Sequence, residues 1–271
     1  MEMIREFFGF GEKGYTREPE GYMSWQHICF VTLLMIVMVT LAVFLGKKAR
    51  TRDEKYKNNI LIYAAVLMDG LELFKIILHC INSKDALAFT DELPLFLCSI
   101  QLITIPLAAL SRGRVKEASL DFVSIFGLLG AVLGTYLAGN NYAAYPVLSF
   151  TNVVSGITHS ISGFAALYIM ISGMASMKRK NLPITYAIIT AFSVAAYIAN
   201  IIGDYNYMFL MRGDGTPYDL LHSLLGGNPV LYPICVVLLF FVYILAFSAV
   251  FNAARNKSNA NKAQKRSKQS N

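Results

Sequence analysis

The chain has 271 residues, 55% of them hydrophobic and 15% charged, with a mean hydropathy of +0.49. That is too apolar and too sparsely charged for an ordinary water-soluble domain. The net charge of +7 raises the question of nucleic acid, but its cations sit in short segments between apolar runs, so the expected partners are membrane lipids and not nucleic acid.

Residues 1–23 form a mixed extracytoplasmic segment. Met3, Ile4, Phe7, Phe8 and Phe10 suit a short interfacial helix, which Gly9, Gly11 and Gly14 interrupt. No cleavable signal peptide is visible, because no small-residue cleavage site follows the first apolar run. Seven apolar runs of roughly 18 to 23 residues each match a hydrocarbon core of ~30 Å. They lie near Ser24–Gly46, Asn59–Ile81, Leu93–Leu110, Ser119–Ala138, Val153–Met174, Ile184–Ile202 and Val230–Phe251. The fold class is therefore all-α: a polytopic membrane protein with seven transmembrane helices over residues 24–251.

Segment 47–57 carries six Lys and Arg, 112–116 three, 178–180 three and the tail after Phe251 six, against Arg5, Lys13, Arg17, Lys84 and Arg212 on the other side. The positive-inside rule then puts the N-terminus outside and the C-terminus in the cytoplasm, consistent with an odd number of spans in the cell membrane. The tail 252–271, rich in Asn, Lys, Ser and Gln, reads as disordered and drawn to anionic lipid. Cys29, Cys80, Cys98 and Cys235 lie in or at the ends of spans with no paired spacing, so they make no disulfide framework.

The first span has no ionisable group in its interior, and Trp25 and Gln26 anchor its outer end. In the second, Asp69, Glu72, Lys75 and His79 fall at i, i+3, i+6 and i+10, confined to an arc of about 120° at ~100° per residue. Charge at the bilayer centre costs at least ~2.5 to 3.5 kcal/mol, so this ladder either neutralises itself internally or lines a polar cavity. The third span opens with Leu93-Pro94-Leu95-Phe96-Leu97-Cys98-Ser99-Ile100-Gln101. Pro94 suits the first turn of a helix capped by Thr90, Asp91 and Glu92, with Cys98 one turn deeper and Gln101 at i+3 on nearly the same face. Pro106 further on frees the carbonyl of Leu102, for which Thr104 is a partner.

In the fourth span Asp121 supplies an N-terminal charge, and Gly127, Gly130 and Gly134 make a face for close helix packing. The fifth carries Ser155, Thr158, His159 and Ser162, a polar stripe centred on histidine. The sixth ends in Asn200 and runs into Asp204 and the block Asn206-Tyr207-Met208-Phe209-Leu210, an outer loop dense in aromatic and turn residues. Tyr232 opens the seventh.

With the N-terminus outside, His79, Cys98 and His159 each lie some ~5 to 10 Å below the outer end of their spans at 1.5 Å per residue, in the same layer as Asn200, Asp204 and Tyr232, with Asn206 and Tyr207 in the outer loop as further substrate-binding candidates. A thiol beside an imidazole is an activated nucleophile for ester or thioester carbonyls, with Gln101, Asn200 and Asn206 as donors to the oxyanion. Zinc on Cys98, His79, His159 and Asp204 is weakly supported, since no ligand pair has metal-type local spacing; no metal or cofactor is expected. A small-solute receptor or transporter using the face Asp69, Glu72, Lys75 and His79 is the alternative, and a structural membrane protein without chemistry a third reading.

Leu93-Pro94-Leu95 with Cys98, the stripe around His159, and Asn206-Tyr207-Met208-Phe209-Leu210 followed by Gly227, Pro229 and Tyr232 resemble the YwaF-type bacterial integral membrane family. The resemblance spans roughly residues 20–250. That family is grouped with a eukaryotic transmembrane acyltransferase that remodels ether phospholipids through a membrane cysteine and histidine. The resemblance implies that Cys98 is the acyl-accepting nucleophile and His159 the base. This chain departs from the pattern at Phe96, where the family often has a histidine, so the base would be His159 or His79. The expectation is a cysteine-dependent acyltransferase or thioesterase on lipid acyl chains, with an acyl lipid as substrate.

Overall fold

The computed structural model describes residues 1–11 and 14–269; Lys13, counted above among the outer cations, lies outside the described residues. Among the described residues every regular element is a helix, with α1 Glu2–Phe8, α2 Trp25–Ala49, α3 Glu54–Ser83, α4 Gln101–Leu110, α5 Gly113–Tyr136, α6 Gly139–Ala144, α7 Phe150–Ser172, α8 Leu182–Gly203, α9 Tyr218–Leu224 and α10 Leu231–Gln269. Local chemistry sets several of these boundaries. Ser24, Asp53 and Ser149 accept the N–H groups of His27, Tyr56 and Asn152 at the starts of α2, α3 and α7, which satisfies otherwise orphaned donors. Gly9 and Gly173, at φ 69° and 80°, end α1 and α7 in the left-handed conformation.

Five helices are long and apolar enough to cross a membrane among the described residues: Trp25–Ala49, Gly113–Ala144, Phe150–Ser172, Arg179–Gly203 and Leu231–Asn261. Helix α3 is 30 residues long, or about 45 Å at 1.5 Å per residue, but carries Asp69, Glu72 and Lys75 in its middle.

The segment expected as the third span differs most from its sequence reading. A 3₁₀ turn over Ala86–Glu92, capped by Asp85, ends at Leu93, and the helix α4 starts only at Gln101. The proline explains this. The residue before a proline is pushed out of the helical region, and Leu93 adopts φ −59°, ψ 145°. Leu93–Ile100 is a chain of turns, so Cys98 precedes the helix. Thr104 bonds Gln101 Oε1 at 2.9 Å and not the carbonyl of Leu102. Helix α10 also continues through Gln269, beyond the point at which a disordered tail was expected.

The chain forms two compact units, Met1–Ser176 and Met177–Asn271. In the first, α7 packs against α2, α3 and α5, while α4 packs between α3 and α5. Close approach depends on small residues: a Cβ at Gly127 would lie 2.8 Å from the Ser162 carbonyl oxygen across the α5–α7 contact. Asp121 is buried within α5 and accepts the N–H and hydroxyl of Ser176 at 2.8 and 3.0 Å. It ties down the chain that leaves α7, a larger part than the end-of-helix charge expected. His27, fully buried, donates from Nε2 to the Thr135 carbonyl at 3.0 Å and so joins α2 to α5. The N-terminal segment straps this unit through Phe7 and Phe8 against Phe150, Tyr15 to Thr151, and Glu20 to the N–H of Val147.

In the second unit α8 packs against α10, with Tyr186 and Phe241 rings 4.6 Å apart. The loop after α8 braces itself. Asn200 accepts the Tyr207 N–H at 2.7 Å and donates to its carbonyl at 3.1 Å.

Candidate functional site

Within the first unit, the glycine face of α5 has two uses. Gly127 takes the backbone of α7, whereas the next two glycines seat side chains. Cys98 rests on Gly130, whose Cβ would lie 3.4 Å from that of the cysteine, and the His159 imidazole rests directly on Gly134. Gly130 and Gly134 are one helical turn apart on the same face, so the two side chains lie side by side. The Cys98 thiol and the His159 ring are close enough for each to act electrostatically on the other. Both residues are only partly buried.

The imidazole is held in one tautomer. His159 Nδ1 lies 2.7 Å from the Ser155 carbonyl oxygen, and because a carbonyl can only accept, Nδ1 carries the proton. Nε2 is then left with its lone pair as the proton acceptor, the arrangement that an oriented base requires. Ser155 lies four residues back on α7, so the polar stripe is the device that fixes the ring.

Gln101, the first residue of α4, is fully buried; its Oε1 accepts from Thr104 and its Nε2 has no hydrogen-bond partner. That leaves a buried amide donor three residues after the thiol.

The charge ladder on α3 lies beside this centre. Glu72 is buried and close enough for its charge to act on His159. Lys75 Nζ bridges Glu72 at 2.7 Å and Glu92 at 3.0 Å, so it ties α3 to the end of the 3₁₀ turn that leads to Cys98. His79 Nε2 lies 3.7 Å from a carboxylate oxygen of Asp91 on the same turn. Asp69 Oδ1 is buried without a hydrogen-bond partner. Among the described residues no group of three or more His, Cys, Asp or Glu could hold a metal ion.

Asn200, Asp204, Asn206, Tyr207 and Tyr232 belong to the second unit. The amide donors expected to face an oxyanion are already used: Asn200 on the Tyr207 backbone, and Asn206 on the Arg212 carbonyl at 2.8 Å and Asp214 at 2.7 Å. Tyr232 donates to the Phe209 carbonyl at 2.8 Å, while Asp204 terminates α8 at φ 54°. Met208 and Phe209 both have positive φ, a backbone that needs such support. The Asn-Tyr-Met-Phe-Leu block is therefore a braced loop.

These features define a multi-pass helical membrane protein with an oriented thiol–imidazole pair. The chain belongs to the TMEM164 family, a transmembrane family whose pattern covers residues 22–249. No curated protein and no solved structure matches it.

Proposed function

We propose that this protein is a cysteine-dependent acyltransferase acting on lipid acyl chains, with Cys98 as nucleophile and His159 as base. The observation that carries this reading is the pairing of Cys98 and His159 on adjacent glycines of α5, with His159 Nδ1 committed to the Ser155 carbonyl. The resemblance to the YwaF-type family and its acyltransferase relatives supports the same assignment.

The chemistry runs in two halves. His159 Nε2 takes the thiol proton as sulfur attacks the ester carbonyl of a donor lipid, forming the C–S bond and a tetrahedral oxyanion. Gln101 Nε2 is the donor in reserve for that oxyanion. Collapse breaks the ester C–O bond; the imidazolium returns the proton to the departing lysolipid oxygen and leaves a thioester on Cys98. An acceptor hydroxyl, deprotonated by His159, then attacks the thioester, and the thiolate recovers the proton. If water takes the place of the acceptor, the same site is a thioesterase.

For topology, seven crossing segments with the N-terminus outside and the C-terminus in the cytoplasm of the cell membrane remain the best account. They comprise the five long apolar helices, α3 with its internally paired charges, and the broken segment Leu93–Leu110. The distribution of Lys and Arg supports this direction.

The test is intact mass of purified wild type and Cys98→Ala after incubation with acyl-lipid donors, with and without hydroxylamine. A fatty-acyl increment on wild type alone, removed by hydroxylamine, is the expected result. No adduct, under conditions that label a control enzyme, would overturn the reading. The rival is a solute transporter using Asp69, Glu72, Lys75 and His79, favoured by the unpartnered Asp69 Oδ1. It predicts vesicle uptake that Asp69→Asn abolishes and Cys98→Ala leaves intact.

A further inference from the structure

At the far end of the α4–α5 pair from Cys98 lies a cavity of about 470 Å³, formed where α3 and α5 begin and α4 ends. Lys116 and Gly130 are 14 residues apart on α5, so the cavity and the thiol are separated by about 21 Å along that helix at 1.5 Å per residue. Its lining includes Lys55, Arg112 and Lys116 against a single acid, Glu54. These cations come from two of the basic segments that the sequence explains only as topology signals.

Three observations indicate that the cavity is built for an anion. The Lys116 side chain is only 16% exposed, yet the carboxylate that answers it, Glu54, is 89% exposed and 3.8 Å away, so a largely desolvated ammonium has a weak, solvent-screened partner. Asn58 Oδ1 and Ser111 Oγ, both in the lining, are buried without a hydrogen-bond partner. A serine hydroxyl can donate, and the Asn58 amide turned by half a rotation presents two N–H donors. Finally, α5 opens with Arg112 at its N-cap and no side-chain cap, leaving the positive end of the helix toward the same space.

We propose that this cavity binds a phosphate group through Lys116, Arg112, Ser111 and Asn58, as the headgroup of an anionic phospholipid or as a free phosphate. Two cations, a hydroxyl and an amide suit the several acceptor oxygens of a phosphate better than they suit a carboxylate. The site is independent of the acyl-transfer chemistry, and its test does not read that activity.

Delipidated protein in detergent is compared as wild type, Lys116→Gln and Lys116→Arg, with Ser111→Ala as a second variant should Lys116→Gln not fold. Native mass spectrometry counts retained phosphatidylglycerol, and thermal unfolding is followed with and without inorganic phosphate. A phosphatidylglycerol adduct reduced at least fivefold in Lys116→Gln, restored in Lys116→Arg and not displaced by phosphate identifies a lipid headgroup. A rise in Tm with inorganic phosphate in wild type, lost in Lys116→Gln, identifies a free phosphate. Equal adducts in all variants together with no phosphate-dependent shift would overturn the proposal.

Discussion

Gly134 of α5 and His159 of α7 are in direct contact, and the Cβ of any other residue at Gly134 would fall on the imidazole ring. The glycine therefore sets the position of the ring. Its neighbour Gly130 is less constrained, with Cys98 3.4 Å from where its Cβ would be. Gly134→Ala is expected to lower acyl transfer about 100-fold, since a misplaced base forfeits both orientation and proton transfer. Gly130→Ala is expected to cost less than about tenfold by the same reasoning. Initial rates of lipid acyl transfer, with Tm to confirm folding, compare the two; equal losses would show that the ring is not held by Gly134.

The roles of the thiol and the ring separate in single-turnover kinetics. Cys98→Ala removes the proposed nucleophile, so no acyl-enzyme is expected to accumulate. His159→Ala leaves the nucleophile but removes the proton acceptor, and the rate of acyl-enzyme formation is expected to fall by about 10²- to 10⁴-fold. Rapid quench followed by intact mass measures both. An unchanged rate in His159→Ala would remove the base assignment and return attention to His79.

Lys75 is expected to control stability more than any other ladder residue. It stands between Glu72 and Glu92, with its side chain 13% exposed. Removing one member of a buried ionic group leaves the remaining charges uncompensated, at a cost of about 3–5 kcal/mol. Lys75→Ala is therefore expected to lower Tm strongly, and the triple change Lys75→Met, Glu72→Gln, Glu92→Gln to recover much of the loss. Because Glu92 is next to the segment bearing Cys98, alkylation of Cys98 by a maleimide should also quicken in Lys75→Ala. A Tm within a degree or two of wild type would mean that lipid or water already screens the group.

The helical membrane class and five of the apolar spans could be read from hydropathy because each is a continuous run whose length matches the bilayer. Cys98 and His159 were expected at one depth from the rise per residue, and the structure places both side chains on the glycine face of α5. Their facing was not legible. It depends on which residues of a third helix lack side chains, and Gly130 and Gly134 look like a packing stripe until the structure shows what occupies the space above them. The Leu93–Ile100 turn was misread because Pro94 fits two roles, first residue of a helix or stop for the residue before it, and only the conformation of Leu93 decides. Asn200 and Asn206 resemble ligand donors in sequence. Their partners are backbone groups and, for Asn206, also the Asp214 carboxylate, a pairing that neither asparagine signals by residue type.

The N-terminal strap should loosen in acid. Glu6 accepts the Thr16 hydroxyl and the N–H groups of Thr16 and Arg17, and these bonds, the hydroxyl foremost, hold its carboxyl below the ordinary 4.5. For Glu20, burial pushes the other way, but the N–H of Val147, its own N–H and the charge of Arg17 together outweigh it, so its carboxyl is also lowered. A group whose pKa is depressed on folding stabilises the fold above its unfolded value and loses that contribution as pH falls through the folded one. Residues 15–23 are thus expected to stay attached from neutral pH down to about 5 and to detach progressively below the ordinary carboxylate value near 4.5. Limited proteinase K digestion across that range, comparing wild type with Glu6→Gln and Glu20→Gln, measures it. The variants should already be cleaved within residues 15–23 at the upper end of the range, and identical cleavage profiles for all three proteins would show that neither carboxylate holds the strap.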